Sequence, residues 1–347
     1  MNALFFSAGA RAATVLVFAA LLGNGASRAS DAYTGDTAVT HIVELREQSL
    51  VGAHDFLTRR ASFETFMRQW PEPNGVSVEE VSANGVPGKW ISPRIPARPS
   101  GRVILYLHGG GFYSGSSSSH RLLAAELARD AHANVLVIDY RRMPEARYPA
   151  QIEDAMAAYR WLLSRGYGGP DIALAGESVG GNLVVELALR LRDSRQSMPA
   201  SLVVMSPVLD LTASGESITA NANRDPLLQR SSLLAVAEEY LHGVSPDDPE
   251  VSPLFADLHG LPPVLVQVGA EEILLDDSIR FARLAAIDEV SVTLEVWPGV
   301  VHQWQLFPVN LADARRALEH GGRFIDASFG KNAARPITYT RTRSRHR

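Results

Sequence analysis

Three short stretches of this chain hold the residue types that acyl transfer requires. The first is Gly176-Glu177-Ser178-Val179-Gly180-Gly181, which fits G-x-S-x-G. In that pattern the serine sits on a sharp strand-to-helix turn whose strained backbone tolerates only small neighbours, and its hydroxyl stands clear of the sheet. The helix that starts there points its positive dipole end at a developing anion. The second stretch is His108-Gly109-Gly110-Gly111-Phe112. A glycine run leaves amide N–H groups bare, so Gly110 and Gly111, with Val179, are the candidate donors for an oxyanion. This loop has neither the Lys-Ser/Thr of a P-loop nor the G-x-G-x-x-G spacing of a dinucleotide site. The third is His302, which follows Trp297-Pro298-Gly299. A serine hydroxyl needs a base to act as a nucleophile near neutral pH, and an imidazole is the usual one.

An acid that orients the imidazole completes such a site. The segment Gly269-Ala270-Glu271-Glu272-Ile273-Leu274-Leu275-Asp276-Asp277 offers four carboxylates, and spacing alone does not choose among them. Glu271 and Glu272 lie nearest the preceding apolar run, whereas Asp276 and Asp277 are placed to cap the following helix. Of the ten histidines, His41, His54, His320 and His346 fall in helical or terminal segments. His120, His132, His242 and His259 fall outside the loops that must converge and read as packed or solvated side chains. His108 reads as structural within its own loop.

The elements that would position these residues are legible as apolar runs at 103–107, 135–138, 172–175, 202–205, 264–268 and 292–296. They are rich in Val, Ile and Leu without alternation, as in strands buried on both faces. Two shorter runs, 79–83 and 89–92, flank Asn84-Gly85, a hairpin turn signal. Helical stretches at 121–131, 152–164, 183–192, 232–240 and 278–287 separate the later runs. This alternation predicts an α/β fold with an eight-stranded, mostly parallel sheet flanked by helices. Ligand sites in such sheets lie at the carboxyl ends of the strands, where Ser178, the glycine loop, the acid segment and His302 all fall. Residues 31–75 read as helical, and 210–259 as a long insertion between the sixth and seventh strands.

Composition sets outer bounds. The chain has 347 residues, 46 % of them hydrophobic, enough for one large core. A net charge of −5 argues against a nucleic-acid surface. With no cysteine there is no disulfide, thiol nucleophile or thiolate metal site. Arg11, the apolar run 12–22 and the small residues around Ser27-Arg28-Ala29 read as a signal peptide over residues 1–30, predicting an exported protein with no stable membrane span after its removal. The basic stretch ending the chain, within 331–347, reads as an unstructured end.

Together these motifs resemble the hormone-sensitive-lipase-like, or bacterial family IV, esterases of the α/β-hydrolase superfamily, over roughly residues 85–310. His108-Gly109-Gly110-Gly111 matches the family's HGGG box, and Gly176-Glu177-Ser178-Val179-Gly180-Gly181 is similar to its G-D-S-A-G-G box. Asp139-Tyr140-Arg141, Pro144-Glu145, Tyr148-Pro149-Ala150 and Glu153-Asp154 follow its structural Y-R-x-x-P-E…Y-P-A…E-D stretch. Glu272-Ile273-Leu274 falls on the family's D-P-L segment. The resemblance therefore implies a triad of Ser178, His302 and Glu272, with Asp276 behind it or as an alternative acid, and no metal or organic cofactor. It also implies a single domain over 31–330 whose helical cap comes from 33–75 and 210–245, short- to medium-chain acyl esters as small-molecule substrates, and a homodimer. Lactones, amides and peptides call on the same machinery. Glu177 and Val179 stand where the family has Asp and Ala, which predicts a bulkier pocket floor.

Overall fold

The sheet begins with a hairpin. In the computed structural model, which describes residues 37–94 and 101–329, β1 (Val76–Ala83) and β2 (Val86–Pro93) pair antiparallel around Asn84-Gly85. Both turn residues have positive φ, 53° and 92°, as a two-residue turn matching the strand twist requires. β2 then pairs antiparallel with β4 (Asn134–Ile138). From there on every pairing is parallel, through β3 (Val103–Leu107), β5 (Ile172–Glu177), β6 (Leu202–Met205), β7 (Val264–Gly269) and β8 (Val292–Trp297). The sheet has eight strands in the order β1-β2-β4-β3-β5-β6-β7-β8.

The lack of alternation in the strands has a simple cause. Leu105 and Leu107 enter the core on one face of the sheet, and Ile104 and Tyr106 enter the core on the other. Helices α4 (Ala150–Ser164), α5 (Val179–Asp193) and α8 (Leu275–Ile287) contribute to the first core. Helices α1 (Thr37–Ser49), α2 (Phe56–Met67), α3 (Arg121–Asp130) and α9 (Ala312–Ser328) contribute to the second. The stretch 31–75, read as one helical region, contains two helices parted by a turn, with Asp55 capping α2 through the Thr58 N–H at 2.7 Å. The 210–259 insertion holds the short α6 (Ser217–Ala220) and α7 (Arg230–Leu241). Among the described residues no helix is long and apolar enough to cross a membrane. The signal-peptide reading of 1–30 and the basic end 331–347 lie outside the described residues.

One buried group makes stability depend on pH. Glu186, on α5, meets Arg190 at 3.0 Å through Oε1, while Oε2 has no hydrogen-bond partner among the described residues. Burial raises its carboxyl pKa to about 8, against the pull of Arg190. The folded pKa therefore lies above the ordinary 4.5, so the fold favours the protonated acid. That contribution is complete below the ordinary value and is lost as pH rises through about 8. We expect the melting temperature to fall across this window, and Glu186→Gln to fall less. Parallel thermal melts of both proteins across the window check this; identical slopes refute it.

Candidate active site

Ser178 occupies the junction of β5 and α5, and its backbone has φ 55° and ψ −124°. An L-residue rarely holds this conformation without being forced into it. Here the forcing is visible. The Ser178 N–H donates to the Met205 carbonyl at 2.9 Å, and its own carbonyl accepts from Val208 N–H at 3.1 Å. Only glycine fits beside the turn. A Cβ on Gly180 would lie 2.0 Å from the Leu107 carbonyl oxygen, and one on Gly176 would lie 2.5 Å from that of Gly180.

His302 reaches the site from the loop after β8. Its Nε2 lies 3.0 Å from Ser178 Oγ, and its Nδ1 lies 2.8 Å from Glu272 Oε2. Glu272 is positioned by the turn after β7: its Oε1 accepts from the Gly269 N–H at 2.7 Å and from the Ser206 hydroxyl at 2.6 Å. Ser178, His302 and Glu272 are all buried. Thus one of the four carboxylates meets the imidazole and the others do something else. Asp276, carried forward as an alternative acid, accepts from the Ser217 N–H at 2.8 Å and so ties α6 to α8. Asp277 accepts from the N–H groups of Leu209 and Asp210, and burial raises its carboxyl to about 7. Glu271 pairs with Arg224 at 3.1 Å.

The glycine loop after β3 brings Gly110 and Gly111, with positive φ of 105° and 61°, to the same cavity as Ser178, Val179 and His302. The N–H of Val179 opens α5, and a helix's first N–H groups have no partner within the helix. The loop is held from behind by Glu177, and this corrects one expectation. Glu177 does not floor the pocket: it lies wholly buried, accepting from Tyr106 Oη at 2.5 Å, Gly109 N–H at 2.5 Å and Gln303 Nε2 at 3.2 Å. His120 Nε2 sits 2.7 Å from the same carboxylate. Burial pulls the His120 imidazole down, but the facing Glu177 more than offsets this and leaves its pKa above the ordinary value. Val179, by contrast, does line the cavity. His108 bonds within its own loop, Nδ1 to the Gly109 carbonyl at 2.8 Å, and burial holds its pKa well down.

The cavity has a volume of about 210 Å³, with walls from α1, α2 and the segment between β6 and β7. Drug-sized ligand pockets run to roughly 300–1,000 Å³, so this one suits a smaller molecule. Among the described residues one trio, Asp257, His259 and Asp288, is spaced to share a cation, and none of the three lines the cavity.

The chain and its fold have counterparts in known proteins. Residues 104–306 match the family described as having the alpha/beta hydrolase fold. The chain is 43% identical over 243 residues to an acetyl-hydrolase of Streptomyces hygroscopicus, covering 70% of this chain and 80% of that protein. It is 39% identical over 260 residues to an esterase of Acinetobacter venetianus, covering 75% and 85%. The crystal structure of an esterase from the bacterial hormone-sensitive lipase family superposes with a TM-score of 0.81 at 39% identity, covering 85% of this chain and 99% of that one. The chain belongs to the hormone-sensitive-lipase-like esterases of the α/β-hydrolase fold.

In this esterase, sequence reasoning missed four groups that hold the site in place. They are Ser206 on Glu272, His120 and Gln303 on Glu177, and Asp225, which accepts from the Ile273 N–H at 2.9 Å next to Glu272. Burial, with Glu272 nearby, raises the Asp225 carboxyl to about 6. None lies in a motif, and each meets its partner only through the folded chain.

Proposed function

We propose that this esterase hydrolyses short- to medium-chain carboxylic esters through an acyl-enzyme on Ser178, with His302 as base and Glu272 as the acid that orients it. The observation that carries the reading is the unbroken relay from Ser178 Oγ through His302 to Glu272, at 3.0 and 2.8 Å. Glu272 accepts a hydrogen bond from Nδ1–H, which keeps the proton on Nδ1 and leaves Nε2 free to take the proton of the hydroxyl. Ser178 Oγ then attacks the ester carbonyl, and the carbonyl oxygen gains the charge that the N–H groups of Gly110, Gly111 and Val179 stabilise. His302 returns its proton to the leaving alcohol. Water, activated by the same imidazole, attacks the acyl carbonyl and releases the acid.

The acetyl-hydrolase and esterase relatives support ester over amide as the bond cleaved. The α1–α2 pair and residues 210–245, whose side chains wall the cavity, act as a cap that sets acyl length. The leader-like segment 1–30 supports export, and the family likeness supports a homodimer. A series of p-nitrophenyl esters from acetyl to dodecanoyl, with a matched anilide, tests the reading. We expect kcat/KM to peak at short chains and to fall at least about tenfold by dodecanoyl, the scale of a misfit in an apolar pocket. Turnover that keeps rising to dodecanoyl, or that favours the anilide, contradicts it.

A further inference from the structure

The cavity beside Ser178 holds more positive charge than a neutral ester calls for. Arg46, from α1, and Arg59, from α2, both line it. Nη1 of Arg46 and Nε of Arg59 are shut off from solvent and have no hydrogen-bond partner among the described residues. Arg60, next in sequence, shows what a satisfied guanidinium looks like here. It pairs with Glu145 at 2.7 Å and donates to the carbonyl of Tyr113 at 2.6 Å, and also to that of Met143. A guanidinium is permanently charged and presents a rigid fork of donors. Burying such donors unmatched is unfavourable unless an anion arrives to meet them.

The nearby carboxylates do not fill that role. Glu47 lines the same cavity but bonds to neither arginine; burial, with Glu44 alongside, raises its pKa. Asp225 lies close enough for its charge to be felt at Arg46. Its oxygens, however, are taken by the N–H groups of Leu227, Leu228 and Ile273, each at 2.9 Å. Burial is the larger influence on Arg46 and pulls its pKa down despite Asp225. What Arg46 Nη1 and Arg59 Nε lack is an acceptor among the described residues, and an anionic group on a ligand in the cavity would supply one.

We propose that the preferred substrate is an ester bearing a carboxylate, which Arg46 and Arg59 bind while the ester carbonyl lies at Ser178. The proposal rests on the esterase reading of the site and adds the substrate's charge to it. Two matched pairs test it: monoethyl adipate against ethyl hexanoate, with the charge on the acyl part, and carboxyphenyl butyrate against phenyl butyrate, with the charge on the alcohol. Hydrolysis is followed by titration in the wild type, Arg46→Gln and Arg59→Gln. In at least one pair the wild type should favour the charged ester. Either substitution should cut the charged-to-neutral ratio of kcat/KM by at least about tenfold, the worth of one charge-assisted hydrogen bond, with the loss in KM. Should Arg46→Gln fail to fold, Arg59→Gln and the wild-type ratio decide. Turnover of the neutral esters with rejection of both charged ones, or ratios that neither substitution moves, overturns this inference and leaves the esterase reading standing. No turnover of any of the four esters overturns both.

Discussion

Ser178→Ala should lower kcat/KM for a short-chain ester by about a millionfold, the loss met when the nucleophile of such a relay is removed. The protein should stay folded. Among the described residues the Ser178 side chain makes a single hydrogen bond, to His302, and the turn is held by backbone contacts that alanine keeps. The strained φ of 55° is set by the Met205 and Val208 backbone contacts and not by the hydroxyl. What would remain is the proposed oxyanion cradle, worth about 10³–10⁴ over water. Steady-state kinetics and a thermal melt on the same preparation check the prediction. A variant that melts like the wild type and keeps more than about a hundredth of its activity, far above the expected residue, rules out Ser178 as nucleophile.

Glu272→Gln should cost about 10⁴ in kcat at neutral pH, and the reason lies in which atoms face which. Two donors, the Ser206 hydroxyl and the Gly269 N–H, point at Oε1, so the glutamine carbonyl must take that place. The new NH₂ then faces His302 Nδ1, where Oε2 stood at 2.8 Å. Nδ1 must accept, the ring proton moves to Nε2, and an Nε2–H cannot take the proton of Ser178. The structure also supplies the contrast. Asp276 is engaged with Ser217, so Asp276→Asn should cost less than about tenfold, within the reach of a displaced helix end. Comparing kcat for the two variants separates the candidates that spacing left together; a larger loss for Asp276→Asn reverses the assignment.

Much of this was legible because it is local. The turn at Ser178 needs glycine at its flanks within a few residues, and Asn84-Gly85 writes its own hairpin. The strands were legible as well, since burial on both faces demands an unbroken apolar run. Boundaries slipped where the motif carried the element: α5 begins at Val179, several residues before the apolar pattern that marked it, because Gly180 and Gly181 hide a helix start. The last helix, Ala312–Ser328, went unread for a related reason. Gly321-Gly322 lowers its propensity, yet a Cβ on Gly322 would lie 2.3 Å from Asp130 Cβ, so the close approach of α9 to α3 requires glycine there. The acid came from family resemblance and not from spacing, because the path of residues 269–275 decides which carboxylate turns inward. The Glu177–His120 pair joins residues far apart in sequence, and nothing local announces it.

The most direct test of the acyl-enzyme mechanism is where a transition-state mimic becomes attached. A p-nitrophenyl alkylphosphonate incubated with the wild type should release one nitrophenolate per chain and leave a single tetrahedral adduct, mapped by mass spectrometry to the peptide containing Ser178, as turnover of ester ceases. An adduct on any other residue, or full ester turnover by protein that carries the adduct on Ser178, contradicts the account.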